Sequence, residues 1–407
     1  MRDQDDAGPR TQRRTVAAFA TTLIIATVVV ALPRHAADPP GRRGNLVSPS
    51  ASPAPPDDMP PAWLAWIAGT LPDGLAAAAQ AEPGLKTTVV VAGDTLWMTE
   101  SRDAKHDVVD HPDPPYEIPI DAFAVTPSAY EPFMPGAMRG PLRTVLNDGL
   151  AILGESSAEL RGIGAGGTLV FGSQEVTVGG VVPDPVVGFA EMLVSRDLGR
   201  RLGIVNDRYL LSLPDGQMTD ARFARIMGSL IPDTDILTSA PGGGPYMRIA
   251  SGVNPPVVTK TLFGEFAAAR HPGDTAFFDI DPAWVDAHVV TREVPLLGTV
   301  TCHEALIPPL VAALREVVAA GLGDEITVYS GCWAARTVRR SSTAPPSQHA
   351  YGAAIDINAP QNPIGTEPVF DRRVVRIFQE HGFTWGGGFL YPDGHHFEWG
   401  LSTPPAR

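Results

Sequence analysis

Lysine is nearly missing from this chain, occurring only at Lys86, Lys105 and Lys260 in 407 residues. Arginine supplies the remaining positive charge. With the abundance of Ala, Gly and Pro, this is the bias of a GC-rich genome, which bears on origin and not on function. Positive charge of either kind is scarce, with 31 basic against 45 acidic residues and a formal net charge of −14. That deficit argues against nucleic acid as a partner, because its binders need a basic footprint. Long apolar runs are rarer still, and one stands out, Thr15 to Pro33, preceded by Arg10, Arg13 and Arg14. At 1.5 Å rise per residue it can span a hydrocarbon core of about 30 Å. The basic flank puts the N-terminus inside and everything after the run outside. A cleaved signal peptide is the alternative, but its apolar core is usually shorter. Either reading exports the chain.

Cysteine is limited to Cys302 and Cys332. An even pair in an exported protein reads most simply as a disulfide. Closing a loop of about 30 residues would stabilise the fold by about 3–4 kcal/mol in the chain-entropy model. A pair of zinc ligands is the weaker alternative, since neither cysteine sits in CxxC spacing.

What is present is enough for two ordinary domains: 44% of the residues are hydrophobic and 19% charged. The expected order is a cytoplasmic tail (1–14), a transmembrane helix (15–33), a Pro-rich extended linker (34–62), a β-rich α+β domain (63–245) and a C-terminal domain (255–407). The linker, with "SPSASPAPPDDMPP", has no hydrophobic period. The joint between the domains is placed in the Gly- and Pro-dense 242–256.

In the middle region "KTTVVVAGDTLWMTES" reads as a strand, a Gly-Asp turn and a second strand. "GGTLVFGSQEVTVGGVVPD" reads as a hairpin, with Thr168–Phe171 and Glu175–Val182 around its turn. Phe189, Met192, Leu193, Leu198 and Leu202 suit one amphipathic segment ending at Gly203. His106 and His111, in "DAKHDVVDHPDPP", read as solvated loop residues and not as a metal loop. The stretch "GLAILGESSAELRGIGAGGTLVFGSQEVTVGGVVPD" resembles the extracytoplasmic core domain of bacterial permeases that pair with ABC ATPases. The four transmembrane helices of such a permease are missing. The resemblance therefore implies an extracytoplasmic sensing or docking module whose protein partner is unknown.

Past the joint, "HEALIPPLVAALREVVAAGL" carries Leu306, Leu310, Leu314, Val317 and Val318 on one helical face, with Gly321 as C-cap. "ITVYSGCW" reads as a strand, and "DRRVVRIFQEHGF" as a helix stopped at Gly382. Two stretches then hold a set of metal-ligating residues, "SQHAYGAAIDIN" and "WGGGFLYPDGHHFEWG". A catalytic zinc site takes three protein ligands and leaves one position open. His349 and Asp356 offer an imidazole and a carboxylate, and His396 offers the third donor. "AAIDIN" alternates, so Ile355 faces a core while Asp356 faces the opposite side. Asp393 is free to act as general base, since a metal lowers the pKa of water towards about 7.

The S-x-H-x-x-G-x-A-x-D frame from Ser347 to Asp356, followed by W-G-G and D-x-x-H-F-E, resembles the zinc peptidases that cut peptidoglycan stem peptides. That family includes D-Ala-D-Ala carboxypeptidases and dipeptidases and L-Ala-D-Glu endopeptidases. The resemblance runs from about Val257 to Trp399 and implies Zn2+ held by His349, Asp356 and His396, with Asp393 as base. Family members often carry arginine in an S-G-Y-R frame. Here "SGCWAAR" has Trp333 at that place, so Arg336 inherits the role of holding negative charge, with Arg339 and Arg340 as rivals. Ser347, orienting its loop, and Trp385, shaping the cleft wall, are expected on the substrate side. His395 reads as the outward residue of a strand, with a contact behind the metal ligands as the alternative, and His303 and His381 read as helix-terminal residues. A Cys302–Cys332 disulfide would brace the substrate side.

The expectation is an α+β protein whose C-terminal zinc-peptidase domain is built on a mainly antiparallel sheet. It would be a membrane-anchored, extracytoplasmic metallopeptidase acting on stem peptides. The alternative is a cell-wall binding module that keeps the zinc fold without cleaving. The intact Asp393 favours the enzyme, because binding alone needs no base.

Overall fold

Thr87 to Val91 is a β-branched run, and it lies in the first half of the longest strand among the described residues. The computed structural model describes residues 56–67, 69–232, 234–241, 254–389 and 391–400. The expected transmembrane run at 15–33 lies outside them, as does most of the expected joint. Among the described residues no helix is long and apolar enough to cross a membrane. These residues belong to one compact α+β unit.

Eleven strands make the large mixed sheet: β1 (Trp63–Ile67), β2 (Leu85–Met98), β3 (Glu100–Arg102), β4 (Val108–Asp110), β5 (Ile118–Val125), β6 (Ala151–Gly154), β7 (Thr168–Phe171), β8 (Gln174–Val182), β9 (Met192–Ser195), β10 (Asp207–Pro214) and β11 (Ile236–Ser239). Their order is β11-β1-β10-β2-β5-β9-β6-β8-β7-β3-β4, parallel only at β5–β9 and β6–β8. The expected hairpin is β7–β8.

Three expectations are corrected here. The Gly-Asp turn at 93–94 does not exist, because β2 runs straight through it. Gly93 sits opposite Phe123, and a Cβ there would come within 2.9 Å of the ring, so the glycine serves cross-strand packing. Asp94 accepts from the backbone N–H groups of Val205 and Asn206. The amphipathic segment before Gly203 is in fact two elements, strand β9 and a helix Arg196–Leu202. Ser195 ends the strand and caps the helix by accepting from Leu198 N–H. The end of the linker is packed, not free: Ala62 is buried, Met59 lies against the core, and Asp58 accepts from Gly136 N–H.

The C-terminal part holds two ribbons, β12 (Ala268–Arg270) with β13 (Phe278–Ile280) and β14 (Val289–Val294) with β15 (Gly298–His303). It also has a four-stranded antiparallel sheet ordered β16-β17-β19-β18, from β16 (Tyr329–Gly331), β17 (Ala354–Ile357), β18 (Phe383–Trp385) and β19 (His396–Trp399). Helices Ile307–Ala319 and Arg372–Glu380 pack on it through Leu310, Leu314, Val317, Val374 and Phe378. Val318, expected on the buried face, is 51% exposed, one position past the stripe. A further cluster crosses between the two parts. Trp97 of β2 packs with Phe263, Phe266, Phe278, Trp284 and Tyr351.

Candidate metal centre

His349 lies in a single 3-10 turn, Gln348–Tyr351, entered through Ser347. The Ser347 hydroxyl accepts from His349 N–H at 3.3 Å, so its visible work is to hold the turn. Gly352 ends the turn at φ 65°, and a Cβ there would stand 2.5 Å from His303 N. Only glycine permits that approach. Two residues on, β17 begins. Ile355 is fully buried in the core while Asp356 points the other way, and in the ladder Asp356 is the direct partner of His396 on β19. Strand register therefore places carboxylate and imidazole side by side.

The three donor atoms form a small triangle. His349 Nε2 is 3.2 Å from Asp356 Oδ1 and 3.2 Å from His396 Nδ1, and His396 Nδ1 is 3.1 Å from Asp356 Oδ1. All three belong to one His/Asp/His group suited to a metal ion. The outer nitrogens fix the tautomers. His349 Nδ1 donates to Cys332 O at 2.6 Å, and His396 Nε2 donates to Glu398 Oε2 at 3.3 Å. In a neutral imidazole the other nitrogen then carries the lone pair. Two lone pairs and a carboxylate oxygen thus converge on one point. A tetrahedral ion with bonds of 2.0–2.1 Å separates its ligands by about 3.3 Å, which this triangle matches. The residues fit zinc.

The same groups favour a proton on His396, which must leave before its Nδ1 can ligate a metal. Burial works against charge on His396, but hydrogen bonds to Asp356 and Glu398 overcome it, and its pKa is pushed up to about 10. Burial likewise opposes ionisation of Asp356, yet the two histidines hold it far below the usual carboxylate range. The cluster draws positive charge to its centre.

Asp393 lies on the turn before β19, donating its N–H to Gly386 O at 2.9 Å and accepting from His396 N–H at 3.2 Å. Burial, with the charge of Asp356, raises its pKa despite the nearby histidines. Its Oδ1 is buried and accepts no hydrogen bond. The neighbour of that oxygen is His395 Nδ1 at 3.2 Å, whose proton goes to Asn362 O at 2.7 Å. His395 is therefore not the outward residue expected. It is buried, with Nε2 3.9 Å from Asp356 Oδ2, because the turn at Gly394 breaks the alternation before β19 begins.

Arg336 is half-buried, and burial lowers its pKa while Asp356 and Asp393 raise it, so its charge is felt at the centre. Of its rivals, Arg339 lies over Tyr391 and Arg340 near Phe277. Trp385 is 6% exposed, its indole N–H donates to Gly394 O, and Arg372 covers its ring, so it is a core residue under the Asp393 turn. Cys302 and Cys332 are disulfide-bonded, joining β15 to the segment after β16. His303 caps the turn after β15, accepting from Ala305 N–H, and His381 ends its helix beside Glu316. His111 pairs with Glu100. Sequence reasoning gave Glu398 no role. Its i+2 spacing from His396 on a strand was the available signal.

Residues 340–399 match a family model described as D-alanyl-D-alanine carboxypeptidase. The match contains His349, Asp356, Asp393 and His396 and supports a peptidoglycan peptidase family of the metallopeptidase kind. No curated protein matches the chain. Three solved structures are similar over its other part. The periplasmic region of MacB from Actinobacillus actinomycetemcomitans is 9% identical, over 45% of this chain and 89% of that one, with a TM-score of 0.31. The extracellular domain of the noncanonic ABC-type transporter YknZ from Gram-positive bacteria is 15% identical, over 44% and 97%, with a TM-score of 0.27. A domain of a putative permease protein from Porphyromonas gingivalis is 16% identical, over 45% and 88%, with a TM-score of 0.28. Scores this low carry no argument beyond the likeness.

Proposed function

We propose that this chain is an extracytoplasmic zinc metallopeptidase that hydrolyses peptide bonds in peptidoglycan stem peptides, as a D-Ala-D-Ala carboxypeptidase or an L-Ala-D-Glu-type endopeptidase. It would be anchored by residues 15–33, with the bulk of the chain on the cell-wall side. The observation that carries the reading is the convergence of His349 Nε2, Asp356 Oδ1 and His396 Nδ1 near the partly exposed Asp393 carboxylate. Zinc, when held there, supplies Lewis acidity and makes water more acidic. The Asp393 carboxylate takes the proton of the attacking water; its raised pKa suits a group that must accept a proton and then give it to the leaving amine. Arg336 holds negative charge on the substrate or developing on the carbonyl oxygen. Backbone hydrogen bonds to Gly386 and His396 hold the Asp393 turn in place.

The test is incubation of the full chain in detergent with muropeptides of defined stem length, read by mass spectrometry. Loss of one terminal alanine identifies a carboxypeptidase, and scission within the stem an endopeptidase. Asp393→Ala should keep its zinc and lose activity by about 100-fold or more. Stems left intact by protein holding one zinc would favour a binding module instead.

A further inference from the structure

Arg339 and Arg340 are consecutive residues with φ of 52° and 54°. L-residues avoid this left-handed region, and a chain needing only a turn there would use Gly or Asn. The loop around them is tied down all the same. Thr337 N–H donates to Ala276 O at 2.9 Å, Val338 N–H to Pro345 O at 2.9 Å, and Ser347 N–H to Arg336 O at 2.9 Å. The large sheet grips the loop's far limb. Thr95 N–H donates to Thr343 O at 3.2 Å, and Arg208 Nη2 donates to Thr343 Oγ1 at 2.8 Å.

Both arginines are exposed, and among the described residues neither makes an ion pair or a side-chain hydrogen bond. They lie against rings instead: the Arg339 guanidinium is 4.2 Å from the Tyr391 centroid, and that of Arg340 is 5.9 Å from Phe277. A guanidinium resting on a ring is positioned while its fork of N–H donors stays available for an anion. The placement is next to the chemistry. The loop leads directly into Ser347 and His349, and Tyr391 stands two residues before Asp393, so the Arg339–Tyr391 contact joins the two segments that flank the metal ligands. Arg340 is close enough to Arg336 for their charges to repel. In a chain of net charge −14, this is a local concentration of unneutralised cations.

We propose that Arg339 and Arg340 form an anion subsite beside the metal centre, which reads a carboxylate of the peptide substrate away from the scissile bond. The inference rests on the peptidase reading above, whose stem peptides carry carboxylates, and adds the residues that read one of them. The large sheet, by holding Thr343, sets where that subsite stands.

The experiment compares peptides that differ only in a Glu or Gln at successive positions. It measures kcat/KM with the zinc-loaded full chain and affinity by calorimetry with chelator-treated protein. Wild type should prefer the acidic peptide at one position on the order of tenfold, through KM, as expected for a charge-assisted contact. Arg339→Gln/Arg340→Gln should erase the preference in both readouts, and Arg339→Lys/Arg340→Lys should keep part of it. Arg340→Gln alone serves if the double variant does not fold. Equal discrimination in wild type and variant, or none in wild type, overturns the subsite. If no peptide is cleaved, the peptidase reading fails, and the calorimetric comparison still decides this one.

Discussion

At the scale of single residues, the centre depends on groups that never touch a metal. Glu398 is 1% exposed and sits two positions past His396 on the same face of β19, where its carboxylate takes the Nε2 proton. Glu398→Gln keeps the shape and removes the charge, so zinc affinity should fall about 10–100-fold, measured by competition with a chromophoric chelator. Unchanged affinity would remove Glu398 from the centre. His303 makes a different prediction. It is buried, donates Nε2–H to Phe263 O, accepts at Nδ1 from Ala305 N–H, and its pKa is lowered to about 4, chiefly by burial. Unfolded, the same imidazole titrates near 6.5. Between those values the unfolded chain binds the extra proton, so stability is undiminished above about pH 6.5 and falls as pH drops towards 4. The contribution is about 3 kcal/mol. Urea unfolding across that window should show His303→Gln with a flatter acid limb than wild type; identical limbs would refute the assignment.

At the scale of elements, the ligands are held by how a turn and three strands are joined. The carbonyl that fixes His349 belongs to Cys332, which is disulfide-bonded to Cys302 on β15, and Gly352 seats its turn directly on β15. Cys302→Ala/Cys332→Ala should lower stability by about 3–4 kcal/mol and weaken zinc binding, as read by chemical denaturation and chelator competition. Full stability and affinity in that variant would leave the bond without a structural role. This centre was legible in the sequence because its frame is local: the Ser347 cap, the Gly352 approach and the alternation of Ile355 and Asp356 all act within ten residues. Failures came where distant partners decide. Gly93 and Asp94 look like a turn until Phe123 and the Val205–Asn206 backbone are placed beside them. His395 looks like an outward strand residue until the Gly394 turn shifts its phase.

At the scale of the whole molecule, the sequence reads as two modules and a glycine-rich joint, whereas the described residues hold together through a buried charge network. Lys260, on helix Pro256–Phe263, donates to Glu191 at 2.8 and 3.0 Å, to Glu265 at 2.8 Å and to Pro119 O. Arg161 reaches Glu191 at 2.8 Å and Glu265 at 2.6 Å. Burial opposes these charges, but mutual attraction raises the Arg161 pKa and lowers that of Glu265. A lysine and two glutamates look like solvated surface in a sequence, so nothing local announced this contact. The same helix reaches the centre, since Gln348, beside His349, donates to Thr259 Oγ1 at 2.8 Å. Lys260→Met strands two carboxylates against one guanidinium away from water, and losing one partner of a buried pair costs about 3–5 kcal/mol. If the large sheet and the C-terminal part were merely tethered, calorimetry of wild type would resolve two transitions, and the substitution would move them unequally. Because the network, the Trp97 cluster and the Glu117–Ala268 backbone bridge all cross between the parts, one transition is expected, displaced as a whole by Lys260→Met. The candidate metal centre should then melt with the large sheet, which would make that sheet part of its support.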